Sequence, residues 1–234
     1  MGHHALRHPV GPLLLALTVG GCGGGHRLAE YAFAERTLAV VYSRVPRPDL
    51  RTGPLHAGEG QDAVLAVLNA GAQMAKEVEA RRAHARLDSA AVRVDVGTRM
   101  AERTLERASR YLGSRPVGDA AEADYLLELD VARMGIDAGR GHAAYVFVDA
   151  EAILLDARTG HEIWSEDVRA WDRLGPGVAG DDEVASDLVT IGALGTASVA
   201  DFERMLVRLA DYAADRITAE LRKELRATRR SGGR

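Results

Sequence analysis

A single cysteine in 234 residues excludes an intramolecular disulfide and any zinc site built from several thiolates. Aromatic residues make up only 5% of the chain, so stacking platforms for single-stranded nucleic acid are poorly supplied. There is no basic surplus either. Lys and Arg number 30 against 34 Asp and Glu, a formal net charge of −4, which argues against binding nucleic acid through a global positive field. No apolar run approaches the roughly 20 residues needed to span a bilayer as a helix. Neither a Gly-x-Ser-x-Gly elbow nor a phosphate-cradling glycine loop occurs. His26, His56, His84, His142 and His161 lack the i,i+4 or His-x-His spacing of a compact metal site. The expectation is a chain without metal, cofactor or nucleic-acid partner, and not an enzyme. What is present is a composition 47% hydrophobic and 27% charged, enough to bury a core.

The first residues are patterned. Arg7, with His3, His4 and His8 nearby, precedes the short apolar run Leu13–Val19, and Gly20-Gly21-Cys22 follows. A positive start, a short apolar stretch and small residues at its end read as a secretory signal over residues 1–21. The segment Val19-Gly20-Gly21-Cys22 resembles the bacterial lipobox: an aliphatic residue, two small residues, then cysteine. That resemblance implies a Cys22 thiol that carries diacylglycerol and a cut before it. It also implies an acylated new amino group and a membrane partner held through these chains. Acyl chains worth about 0.8 kcal/mol per buried CH₂ anchor a protein stably when several are present. Gly23, where Asp would imply inner-membrane retention, resembles an outer-membrane address facing the periplasm. Loss of Arg7 takes Lys and Arg from 30 to 29 against 34 acids, a net of −5. Residues 22–30, with Gly23-Gly24-Gly25, read as a flexible tether.

The body, residues 31–228, reads as one α+β domain: a small, mostly antiparallel sheet with helices on one face, in the order β-α-α-β-β-β-α. Thr37–Tyr42 is an apolar, β-branched run, the first strand. Residues 44–60 hold Pro46, Pro48 and Pro54 and read as a loop. Residues 61–84 are helical, with Val64, Leu68, Ala72, Ala75 and Val78 on one stripe. A second helix reaches Leu112, with Ala101, Leu105, Ala108 and Leu112 on its apolar face and Gly113 as its stop. The two form either a hairpin or one helix broken near residues 85–89. Arg115-Pro116-Val117 is a brief extended piece. Residues 124–171 read as a three-stranded antiparallel meander, closed at its second turn by Asp156-Ala-Arg-Thr-Gly160. In its middle strand Asp149 and Glu151 share a face with Tyr145 and Phe147. Residues 172–197 read as a glycine-rich acidic loop with a short helix near residues 184–189. Ser198-Val-Ala-Asp201 opens the last helix, whose apolar face runs through Phe202, Leu206, Leu209, Ala213, Ile217 and Leu221. Residues 229–234 read as a disordered basic tail.

Ala123-Asp-Tyr-Leu-Leu-Glu-Leu129 and Ile153-Leu-Leu-Asp156-Ala-Arg-Thr-Gly160-His-Glu-Ile-Trp164 resemble segments of small periplasmic lipoproteins. Among these are curli-secretion lipoproteins, lipoprotein activators of penicillin-binding proteins, and related uncharacterised families. The resemblance implies an accessory role and transfers no catalytic residue.

Candidate residues are few. Asp181, Asp182, Glu183 and Asp187 fail the spacing of a calcium loop and read as a solvated loop and helix start. Asp149 and Glu151 have the spacing of a carboxylate pair but fit a wet strand face. Arg222, Lys223, Arg226, Arg229, Arg230 and Arg234 read either as a solvated helix end whose cations complement the dipole or as a contact for anionic phospholipid or cell-wall polymer. Tyr145, Phe147, Trp164 and Trp171 gather in the hairpin, either as packing or as a surface for a protein partner. The functional expectation is an outer-membrane lipoprotein facing the periplasm. It would act as an adaptor or accessory subunit with an envelope protein partner. The alternative is a lipid- or polymer-binding subunit of envelope transport.

Overall fold

The computed structural model describes residues 27–52, 63–139, 143–175 and 183–231. Val19, Gly20, Gly21 and Cys22 lie outside the described residues.

Among the described residues the chain forms one six-stranded sheet and four α-helices. The strands are β1 (Thr37–Tyr42), β2 (Asp49–Thr52), β3 (Arg115–Pro116), β4 (Tyr125–Ala138), β5 (Tyr145–Asp156) and β6 (Glu162–Arg173). The helices are α1 (Ala63–Arg93), α2 (Val96–Leu112), α3 (Glu183–Thr196) and α4 (Val199–Ser231). The sheet order is β3-β1-β4-β5-β6, with β2 also paired to β4. The meander β4-β5-β6 is antiparallel. β1 runs parallel to the start of β4 and β2 parallel to its end. The long β4 thus carries two short strands in line along one side.

Alternation builds the core. Tyr125, Leu127, Leu129 and Val131 of β4 are buried beneath the helices. A register shift between Val131 and Arg133 then moves the buried positions to Met134, Ile136 and Ala138. One extra residue in a strand resets which face each later side chain takes. On β5 the even positions Val146, Val148, Ala150, Ala152 and Leu154 are buried. Phe202, Leu206, Leu209, Ala213, Ile217 and Leu221 of α4 close over them. α2 and α4 run parallel. Arg99 grips Asp211 and Arg103 grips Asp215 through paired bonds of 2.7–2.8 Å, each pair 112 residues apart.

Local signals explain the ends. Asp95 accepts from the Thr98 amide and caps α2, and Gly113 closes it at φ 73°. The Thr98 contacts hold the Asp95 carboxyl below its ordinary value. Ser198 and Asp201 exchange backbone-to-side-chain bonds at the start of α4, so Asp replaces the usual Glu of the box without losing its geometry. Asp156 accepts from the amides of Arg158 and Thr159, and Gly160 takes φ 69°.

Several boundaries differ from the sequence reading. The segment 44–60 contains β2, because Leu50 and Arg51 find partners on the far half of β4. The break between the first two helices falls at Val94-Asp95, where Asp95 is the cap, and not near residues 85–89. The span 172–197 includes the end of β6 and the 14-residue α3. α4 continues through Arg229 and Arg230, so those residues are helical. Its last turns are held by the burial of Leu225 and Thr228. On α1 the buried stripe is Gln73, Lys76, Ala80, Ala83, Leu87 and Ala90, while Met74 and Val78 are exposed. Alanine spread around this helix gives little contrast between its faces, and two polar side chains on the inner face reverse the expected phase.

Lys76 explains how. Its ammonium is fully buried and donates to Asp187 Oδ1 on α3 and to the Gly139 carbonyl, both at 2.6 Å. Asp187 therefore leaves the solvated acidic cluster and joins the interior. Arg86 donates to the last carbonyls of α3, at Leu194 and Gly195. α1 thus holds α3 at two points one face apart.

Candidate partner interface

With the helices on one side, the opposite face of β4, β5 and β6 carries the odd-numbered side chains of β5 and, from Ser165 on, of β6. Register sorts them into rows. Gly135, Phe147 and Trp171 lie side by side, as do Arg133, Asp149 and Arg169. Asp130, Glu151 and Asp167 form the next row.

In the first row Phe147 is only 2% exposed although it faces away from the helices. The Arg51 guanidinium of β2 sits 4.4 Å above its ring, a cation–π contact worth about 0.5–2 kcal/mol. Gly135 makes this approach feasible. A Cβ there would lie 2.0 Å from the Asp49 carbonyl oxygen. Trp171 remains 59% exposed. Its ring meets that of Tyr145 at 6.1 Å and 55°. Tyr145 donates to Asp137 Oδ2. Burial, then the charge of Asp137, pushes the Tyr145 hydroxyl above its ordinary pKa.

The second row is an ion triplet. Asp149 accepts from Arg133 through Oδ2 and from Arg169 through Oδ1, both at 2.9 Å. The carboxylate is nearly buried while both arginines reach outward. This explains the Asp149 and Glu151 pair: Asp149 is committed to two guanidinium groups, and Glu151 belongs to the acidic row. The third row sets three carboxylates directly opposite one another, an arrangement that costs stability in a sheet. Ser43 donates to Asp130, and none of the three carboxylates has an ion pair among the described residues.

Of the four aromatic residues singled out by sequence, Tyr145, Phe147 and Trp171 share the open face. Trp164 does not. Its even position turns it beneath α4, 1% exposed, so it is a core residue and is withdrawn from the surface set. Glu166, on the same face as Trp164, lies near Glu220 and Glu224 of α4. Burial first, then these two charges, raises its carboxyl pKa. Arg51, Arg133 and Arg169 escaped the sequence reading as site residues. Arg133 and Arg169 were legible in principle, as cations at alternating positions of half-wet strands. Arg51 was not, because it lay in a proline-containing stretch.

His84 bonds the Pro48 carbonyl at 2.8 Å, and His161 lies exposed at a turn. His26, His56 and His142 lie outside the described residues, as do Asp181 and Asp182. Among the described residues no group of three His, Cys, Asp or Glu is placed to hold a metal, and no helix is long and apolar enough to cross a membrane. Arg222 stacks over Tyr111 at 5.0 Å and Lys223 pairs with Glu220 at 2.6 Å, so part of the basic C-terminal set is engaged. A groove of about 540 Å³ lies between α3 and α4, with Leu174, Val189, Ala193 and Met205 on its walls and Arg204 and Arg208 at its rim.

No family model and no curated protein matches the chain. Among solved structures it is similar to a putative lipoprotein from Caulobacter crescentus, at 21% identity over 54% of this chain and 83% of that one, with TM-score 0.32. It is also similar to the lipoprotein GNA1162 from Neisseria meningitidis, at 17% identity over 34% and 74%, with TM-score 0.28. A third is the protein XCC0632 from Xanthomonas campestris, of the DUF330 family, at 14% identity over 82% and 90%, with TM-score 0.35. These likenesses are distant, and the functional reading rests on this chain's own residues.

Proposed function

We propose that the protein is a lipid-anchored accessory subunit of the bacterial cell envelope, non-enzymatic, with Cys22 as the acylated residue. The observation that carries the reading is positional. The chain's only cysteine closes its only short apolar leader, behind Val19-Gly20-Gly21. Acyl chains there tether the domain to the outer membrane, facing the periplasm. The open sheet face meets the partner. Exposed Trp171 supplies an aromatic anchor, and the alternating rows of arginine and carboxylate supply register. The perturbed carboxyls lie away from this face. Asp95, Asp156 and Asp201 are held below their ordinary values by caps and turns, and Asp215 by Arg103. Their shifts serve the fold.

The groove between α3 and α4 favours a second reading, a lipid- or polymer-binding subunit of envelope transport. Its apolar walls and arginine rim suit an amphiphile with an acidic head.

Photo-crosslinking in cells separates the two. A crosslinker at Trp171 is expected to capture one envelope protein other than this chain itself, and one at Val189 to capture none. Capture of lipid or wall polymer from Val189, with nothing from Trp171, overturns the adaptor reading in favour of transport.

A further inference from the structure

The sheet ends on β6, and among the described residues no strand pairs with its outer side. Past a register shift at Ile163, the edge from Trp164 to Arg173 has no strand partner among the described residues, and such an edge is a strong template for another strand. Natural edges are usually short, bulged or covered, so a long one needs an explanation.

The backbone orientation of this edge follows from one bond. The Leu174 amide donates to the Ala144 carbonyl of the neighbouring strand. Pairing groups alternate along an antiparallel strand. From Trp164 onward, past the register shift at Ile163, the even-numbered residues of β6 therefore direct their N–H and C=O inward to β5. Ser165, Asp167, Arg169 and Trp171 direct theirs outward. Their side chains all lie on the open face.

The charges along this edge are ordered. Asp167 ends the acidic row of Asp130, Glu151 and Asp167. Arg169 ends the row of Arg133, Asp149 and Arg169. The Arg169 side chain is 70% exposed although it bonds Asp149. An antiparallel strand with a cation opposite Asp167 and an anion opposite Arg169 satisfies both ends. β6 itself is such a strand.

We propose that β6 pairs with β6 of a second copy of this chain, antiparallel, with Val168 on the two-fold axis. The axis stands perpendicular to the sheet, so the helices of both copies lie on one side. Asp167 then faces the partner's Arg169, and Arg169 faces the partner's Asp167. The acidic row of each copy runs directly into the arginine row of the other. Ser165 and Trp171 also oppose each other across the seam, and the serine leaves space for the indole. The four outward residues of each copy give roughly eight backbone hydrogen bonds. A shift by two residues in one direction sets Asp167 against the partner's Asp167. A shift in the other direction sets Arg169 against the partner's Arg169. Charge therefore selects the register centred on Val168.

A second observation points to the same edge. Trp171 and Tyr212 are 59% and 50% exposed. Both line a groove of about 410 Å³ that runs between the end of β6 and α4, with Asp172 and Arg208 paired inside it. Large exposed aromatic residues beside an open strand edge suit an interface. This inference is independent of the anchor at Cys22.

The test uses the full chain carrying Cys22→Ser, which leaves no cysteine. Sedimentation equilibrium is expected to show a dimer, and Asp167→Arg is expected to weaken its Kd at least tenfold. For register, Asp167→Cys protein is mixed with Arg169→Cys protein under mild oxidation. Opposed residues of a hydrogen-bonded pair stand about 5.5 Å apart at Cα, within disulfide reach. The mixture should give a linked dimer, and neither variant alone should. Efficient linking of Asp167→Cys with itself overturns the register. A monomer at high micromolar concentration with no linked product overturns the pairing. Capture of a different envelope protein at residue 167 in cells, with no link between copies, gives the edge to that protein and overturns the second copy as its occupant.

Discussion

Replacing Lys76 by Met should unfasten α3 and reduce global stability by a large, bounded amount. The lysine head is buried and makes two charge-assisted bonds of 2.6 Å, to Asp187 Oδ1 and to the Gly139 carbonyl. The Asp187 side chain is itself only 9% exposed. Met keeps most of the stem, so packing changes little, and the loss is electrostatic. It leaves one carboxylate and one carbonyl unpaired in the interior. Removing one partner of a buried ion pair typically costs about 3–5 kcal/mol. For a domain of this size each kcal/mol moves the midpoint by about 2–4 °C, so Tm should fall by roughly 6–20 °C. Replacing both partners, Lys76→Met with Asp187→Leu, removes the stranded charge and should recover most of that loss. Urea titrations followed by circular dichroism on the parent, Lys76→Met, Asp187→Leu and the double variant give four free energies, and the cycle gives the coupling. Hydrogen exchange should show the amides of α3 losing protection before those of α4, because α3 packs chiefly against α1. A single variant that loses less than about 1 kcal/mol would mean that the pair behaves as a solvated one. A double variant as unstable as the summed singles would refute the claim that a stranded charge causes the loss.

Two further outcomes follow from the same geometry. Gly135→Val places a side chain on the Asp49 backbone, 2.0 Å from its carbonyl oxygen for Cβ alone, and should detach β2 at a cost of roughly 1–3 kcal/mol. Exchange protection should vanish at residues 50–52 and persist between β4 and β5; unchanged protection would contradict the close approach. Glu166→Gln should alter the pH dependence of stability. The Glu166 pKa is raised in the folded state, so its favourable contribution is present below its ordinary value and is lost as pH rises through the raised one. The Gln variant should therefore gain thermal stability over the parent at pH 8 but not at pH 4. Identical pH profiles would show that Glu220 and Glu224 do not act on it.

Much of the fold was legible because its signals are local or strongly periodic. Phe202 to Leu221 marks the buried face of α4 at helical spacing. Gly113, Gly160, Asp156, Ser198 and Asp201 sit where turn and cap chemistry needs them. The β5 alternation separates Val146, Val148 and Ala150 from Tyr145, Phe147 and Asp149. The misread parts depend on distant partners. Gln73 and Lys76 face inward on α1 because Asp187 and Gly139 await the lysine, and alanine in every direction leaves the period without contrast. β2 is four residues beside prolines, stabilised by the far half of β4. Trp164 and Trp171 are seven residues apart, so alternation sends them to opposite faces. The rows of the open face arise from the register of three strands and from the shift after Val131. One strand's sequence does not encode them.

The anchor at Cys22 is the central claim, and metabolic labelling tests it most directly. Cells expressing the full chain are grown with labelled palmitate, and the protein is isolated. The account predicts label in the wild-type chain, in the membrane fraction, and none in Cys22→Ser. Equal labelling of the two, or an unlabelled wild type recovered in the soluble fraction, would contradict it.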